Sequence, residues 1–222
     1  MSTPEPVLTA RRWRSRRSAA VAGIVFGVLL ITALVMMQVA LAGESLQSLE
    51  SDPGRQALVR ISLNLVPFAG IAFLWFIGVV RDQLGDVEDR LFSTVFLGSG
   101  LLFLAMLFQG AVTVTSLVQM IPSESIDEAI WTFGRGSTQA LVSVYAMRMA
   151  AVFTLSVSTV ALRTAAVPRW VPFSGYAVAM VLLLVAGTFT WARLLFPAWV
   201  LVLSVAILLT PARARSPEPP TA

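Results

Sequence analysis

The sequence predicts an all-α fold, a polytopic membrane protein built as a six-helix transmembrane bundle with a short external interfacial helix. Composition is the first observation behind this: 57% of the residues are hydrophobic and 13% are charged, far from the roughly 25% charged of a soluble domain. The second is the recurrence of apolar stretches of about 20 residues, enough at 1.5 Å per residue to cross about 30 Å of hydrocarbon as helices. The third is that these stretches are apolar throughout, whereas barrel strands would alternate polar and apolar residues.

Residues 1–17 form a basic cytoplasmic arm in this reading, because a polar, proline-containing start leads into Arg11, Arg12, Arg14, Arg16 and Arg17. The transmembrane domain covers 18–210. Its first span, 18–42, ends in Ala40-Leu41-Ala42 like a signal-peptidase site, but its apolar region is too long for a cleaved signal and reads as a retained anchor. Gly23 and Gly27 make a GxxxG pair, which lets another helix approach at the backbone; packing within the chain is the expected use. A polar loop with Asp52, Pro53 and Gly54 precedes the second span, 60–80, which Pro67 should kink.

The third span is 91–119, joined to the second by Arg81 to Arg90, a short connection carrying Asp82, Asp86, Glu88 and Asp89. Ser125 and Glu128 then have capping-box spacing, so a short helix is expected there. Ile126, Ala129, Ile130 and Phe133 share its apolar face, and Trp131 suits the headgroup level, so this helix should lie in the interface. The fourth span, 138–162, carries Arg148; the fifth and sixth are 173–190 and 194–210, with Pro197 early enough in the last to be tolerated. Residues 211–222 are proline-rich and read as a disordered cytoplasmic tail.

The run from Phe73 to Asp86, Phe-Leu-Trp-Phe-Ile-Gly-Val-Val-Arg-Asp-Gln-Leu-Gly-Asp, with Phe96 to Phe103, Phe-Leu-Gly-Ser-Gly-Leu-Leu-Phe, resembles uncharacterised multi-pass integral membrane proteins of high-GC actinobacteria. The resemblance implies a helical hairpin and a place in a bacterial cytoplasmic (inner) membrane, and no activity. Arginine without lysine and abundant alanine suit a GC-rich genome.

Orientation follows from the arginines. With six spans, Arg11, Arg12, Arg14, Arg16, Arg17, Arg81, Arg90, Arg163, Arg169, Arg213 and Arg215 fall on one side, and Arg55, Arg60, Arg135 and Arg193 on the other. The positive-inside rule then puts both termini in the cytoplasm. The net charge of +4 is gathered at segment ends, so it reads as an orientation signal and not as a nucleic-acid surface.

The absences narrow the chemistry. All sixteen basic residues are arginine, and histidine and cysteine are missing, which excludes ordinary zinc sites, usual haem ligation, disulfides and a lysine Schiff base. No carboxylate lies within the spans to act as a general base or proton relay, and no glycine-rich phosphate loop occurs. The chain therefore reads as no enzyme, with no cofactor and no metal.

What remains is Arg148, a charge that costs roughly 3 kcal/mol or more in hydrocarbon unless something answers for it. Counting from the segment midpoints places Arg148, Asn64 and Gln109 in the outer half of the bundle; Tyr145 shares a helix face with Arg148, as Thr113 does with Gln109. Arg148, Tyr145, Asn64, Gln109 and Thr113 are accordingly the candidate ligand-binding residues. They would form a polar outer-half cavity that binds or passes a small anionic or amphipathic ligand, such as a lipid headgroup. The plainer alternative is structural: Arg148 bonds to carbonyls freed by Pro67 or snorkels to the headgroups. A second functional reading is a structural or regulatory subunit of a larger membrane complex, or a homo-oligomer, held through its helices.

Overall fold

Every apolar stretch is helical in the computed structural model, which describes residues 6–41, 46–84, 90–121, 126–164 and 167–210, with the side chains of 6–16, 48, 82–84 and 90–92 left aside. The elements are α1 (Pro6–Ala40), α2 (Leu46–Glu50), α3 (Pro53–Leu84), α4 (Arg90–Met120), α5 (Glu128–Gln139), a π-helical segment (Ala140–Ala146), α6 (Met147–Thr164), α7 (Trp170–Val185), a 3-10 turn (Thr190–Leu194) and α8 (Leu195–Leu209). Among the described residues, five segments are long and apolar enough to cross a membrane, namely Arg17–Ala40, Pro53–Arg81, Ser93–Met120, Glu128–Thr164 and Thr190–Leu209. The chain is a multi-pass membrane protein. The fifth expected span, 173–190, falls short of that length: α7 has 16 residues, about 24 Å of helix, and α8, with 15, reaches it only together with the 3-10 turn.

Local chemistry sets the ends of the helices. At the start of α3, Asp52 Oδ1 accepts from the backbone N–H of Gly54 at 2.9 Å and of Arg55 at 3.2 Å, and Pro53 takes the first helical position, where a missing donor costs nothing. Gln56 Nε2 donates to the Leu49 and Glu50 carbonyls at the close of α2. The α5 cap is Asp127, whose Oδ1 accepts from Ile130 N at 2.8 Å; Ser125, the expected capping residue, lies outside the described residues.

The segment expected as a separate interfacial helix forms α5, and α5 runs without a break through the π-helical segment into α6, 37 residues in all. Ala129, Ile130 and Phe133 are exposed, but Ile126, expected on the same apolar face, is buried, and Trp131, expected at headgroup level, is 2% exposed and packs inward with it. The basic arm is also helical from Pro6 as the start of α1, and Pro67 sits on the exposed side of a continuous α3. The expected 85–89 turn and 211–222 tail lie outside the described residues.

Packing arranges the long helices as a ring in the order α1, α3, α4, α6, α7, α8 and back to α1. Gly23 and Gly27 are the reason α8 closes the ring: a Cβ on Gly27 would meet Leu201 and lie 3.0 Å from the Pro197 carbonyl, and one on Gly23 would collide with Ser204. The GxxxG pair thus serves packing within the chain, as expected. The centre of the ring is aromatic. Phe73 stands 4.5 Å from Phe26, 5.3 Å from Phe103, 5.1 Å from Phe153 and 5.8 Å from Phe196 between ring centroids, distances at which tilted and edge-on pairs add to simple burial.

A second apolar cluster caps the opposite end from Arg17, Arg81 and Arg163. It joins Ala40 of α1, Leu46 and Leu49 of α2, Val59 of α3, Val114, Leu117 and Val118 of α4, and Ile126 and Trp131 around the start of α5. Between this cap and the phenylalanine core the bundle is not filled.

Candidate functional site

The unfilled region follows from unequal helix lengths. Phe196, at the start of α8, meets Phe26, Phe103 and Phe153. From that common level α1 rises about 21 Å further to Ala40, α4 about 26 Å to Met120, and the α6–α5 helix about 37 Å to Glu128. The α7–α8 hairpin does not follow them. Its turn is held by Gly187, which has φ 94°, and lies against Val144 of the π-helical segment.

The result is a cavity of about 850 Å³, within the range of small-molecule sites. Its floor and inner wall are apolar, formed by Ala33, Leu34, Val66, Leu107 and Ala111. The opposite wall, contributed by α5 and the π-helical segment, is polar: Glu128, Thr132, Arg135, Thr138, Gln139 and Ser143 face the space. Gln38 and Ser62 add amide and hydroxyl groups from α1 and α3, and Trp131 adds an aromatic face. Thr190 and Arg193 line it from the α7–α8 turn.

Two side chains there have unmet bonding capacity. Ser143 is 4% exposed and its Oγ has no partner among the described residues, although a buried hydroxyl without a hydrogen bond costs about 1–3 kcal/mol. The π-helical widening around Ala140–Ala146 carries this serine to the cavity wall, a position such bulges often occupy at functional sites. Arg193 is partly buried, and its guanidinium makes no hydrogen bond or ion pair among the described residues. Ser62 differs: its Oγ donates to the Val59 carbonyl at 2.7 Å.

The five residues grouped from the sequence do not line this cavity. Asn64, Gln109, Tyr145 and Arg148 are exposed on the outward faces of α3, α4, the π-helical segment and α6, and Thr113 is half-buried with its Oγ1 donating to the Gln109 carbonyl at 2.9 Å. Their directions around the helix axes were not available from the sequence. Around the junction of the π-helical segment with α6 the buried positions include Ala146, Met147 and Ala150, which leaves Tyr145 and Arg148 on the outward side. The Arg148 Cα stands about 24 Å above Thr164 along the helix, and its stem leans toward the α5 end. A snorkelling guanidinium at that height reaches the far headgroups of a roughly 30 Å hydrocarbon layer measured from Thr164.

Neither a family model nor a curated protein nor a solved structure matches this chain. The site therefore stands on its own geometry. Its cations, Arg193 and Arg135, stand at segment ends in the sequence. The available signal was the shortness of the fifth apolar segment, followed closely by Trp191, Arg193 and Pro197: a hairpin too short to reach the end of the bundle carries its turn residues inward.

Proposed function

We propose that this protein is a non-enzymatic integral membrane protein that binds or passes a small anionic or amphipathic ligand in the cavity beneath the Trp131 cap. The observation that carries the reading is Arg193, a permanent cation directed into a partly apolar space with no carboxylate paired to it among the described residues. An arginine in such surroundings binds an oxyanion more strongly than it would in water, and its planar fork can hold two oxygens at once. Arg135 adds a second positive charge on the facing wall and Glu128 a negative one nearer the cap. Gln38, Gln139 and Ser143 supply donors to orient what is bound.

The side chains available support a reading as a binder without chemistry. No cluster of three metal-ligating side chains occurs among the described residues, and the cavity's one carboxylate stands without a histidine or cysteine anywhere in the chain to activate. By the positive-inside rule the cavity lies in the outer half of the bundle, with both termini in the cytoplasm of a bacterial cell bounded by its inner membrane.

The test is calorimetric titration of octyl phosphate into the full chain held in phosphatidylcholine nanodiscs. Saturable binding is expected, weakened about tenfold or more in Arg193→Gln through loss of a charge-assisted bond. Equal binding to both proteins would sink the reading.

A further inference from the structure

The cavity has a floor, a cap and only part of a wall, and the missing part points to where its ligand comes from. Below, the phenylalanine core closes it; above, the cluster around Trp131, Leu49 and Val118 covers it. In between, α1 is flanked by α3 on one side and by α8 on the other, while α5 packs on α4. Above the α7–α8 turn nothing from those two helices continues upward, and among the described residues α1 and α5 form no packed interface across the space that remains. The cavity therefore opens sideways, over the turn.

The sill of this opening is amphipathic. Phe189 is 65% exposed and Trp191 62% exposed on its outer side, while Thr190 and Arg193 face inward. Measured from Trp170, α7 and its turn rise roughly the thickness of one hydrocarbon layer, about 30 Å, so the sill lies at headgroup depth, where aromatic side chains are favoured. A ligand crossing there passes from headgroup-level surroundings on one side to an arginine on the other, with the apolar surface of Ala33, Leu34, Val66 and Leu107 available to its tail.

We infer that the cavity takes an anionic membrane lipid, which enters sideways from the leaflet over the Phe189–Trp191 sill and sets its phosphate against Arg193. This rests on the ligand-binding reading above and names the ligand class and its route. A water-soluble phosphate shares the head chemistry, but it would gain nothing from the apolar floor or from a lateral opening at this depth.

Because the chain has no cysteine, one introduced thiol reports on the cavity. Ser143→Cys is labelled with N-ethylmaleimide in the full chain, in nanodiscs of phosphatidylcholine alone, of phosphatidylcholine with phosphatidylglycerol, or of phosphatidylcholine with glycerol 3-phosphate in the water. Rates are taken relative to Phe133→Cys on the outward face of α5, so that surface charge cancels. Phosphatidylglycerol should slow the Ser143→Cys reaction about tenfold, glycerol 3-phosphate should not, and Arg193→Gln should restore the rate where Arg148→Gln does not. If glycerol 3-phosphate protects as well as the lipid, or protects alone, the lipid inference falls and the anion cavity stands. If neither protects, both fall. Thr132→Cys, exposed on the same wall, takes the place of Ser143→Cys should that variant fold poorly.

Discussion

Gly187 lies so close to Val144 that a Cβ on it would stand 2.8 Å from the valine Cγ2. This contact ties the α7–α8 turn to the π-helical segment and so fixes the height of the cavity sill. With φ at 94° the position is also in a region that side chains resist, at a cost of about 1–2 kcal/mol for a residue with a Cβ. Gly187→Val is expected to lower the unfolding midpoint in detergent, and Gly187→Ala to do so by less. A variant as stable as the parent would mean that the turn is not held in this way.

Phe73 makes ring contacts with five other phenylalanines, those at 26, 76, 103, 153 and 196. Four helices besides its own meet it directly or through that set, so the gap left by truncation cannot be closed by one side chain turning. Phe73→Ala should cost about 3–5 kcal/mol, as for large-to-small changes in packed cores. Phe133→Ala, at a position 78% exposed, should change stability little in the same unfolding assay.

How much of this was legible beforehand differs between fold and site. The helices and the packing role of Gly23 and Gly27 follow from apolar length and from small residues four apart, both local properties of the chain. The cavity depends on relative heights. That Phe196 meets Phe26 while α1 continues about 21 Å beyond is a relation between distant segments, and no periodicity within either one encodes it. Arg148 drew attention because charge inside an apolar run is visible in one dimension. Arg193 did not, because it stands at a segment boundary where an arginine looks ordinary, and only the shortness of α7 brings that boundary inward.

The cavity should hold water when no ligand fills it, since Ser143, Gln139, Thr132 and Arg193 all line it and polar walls of this size hydrate. In phosphatidylcholine nanodiscs, Ser143→Cys should then react with a water-soluble maleimide despite its 4% exposure. Ser204→Cys, also buried but packed at Gly23 inside the α1–α8 contact, should stay unreacted until the protein is denatured. Matching reactivity at the two sites would show that burial alone, and not the cavity, governs labelling.

Asp127 tests whether the α5 end of the long helix is held from outside the membrane. Its carboxylate accepts from Ile130 N at 2.8 Å at the exposed start of α5, where it also meets the positive end of the helix dipole. Asp127→Ala should cost about 1 kcal/mol through loss of the cap, and Asp127→Asn should recover most of it. Because Ile126 beside it is buried in the cluster with Trp131, the loss should appear as faster hydrogen exchange across the first turns of α5, with α6 unchanged. Uniform loosening of the whole helix would contradict a local cap.

Arg148 separates a membrane-anchoring role from a binding one. On an outward face, with no ion pair among the described residues, it is expected to have its charge answered by headgroups reached along its own stem, as any sufficiently long cation would. Arg148→Lys should leave stability in nanodiscs unchanged. Arg148→Leu should be tolerated as well, because it removes the need to snorkel and leaves no buried partner behind, in contrast to breaking a buried pair at about 3–5 kcal/mol. Neither change should alter octyl phosphate affinity, whereas Arg193→Gln should. If Arg148→Leu instead abolished binding while the protein stayed folded, the ligand would lie on the outer face of α6 and the cavity assignment would be wrong.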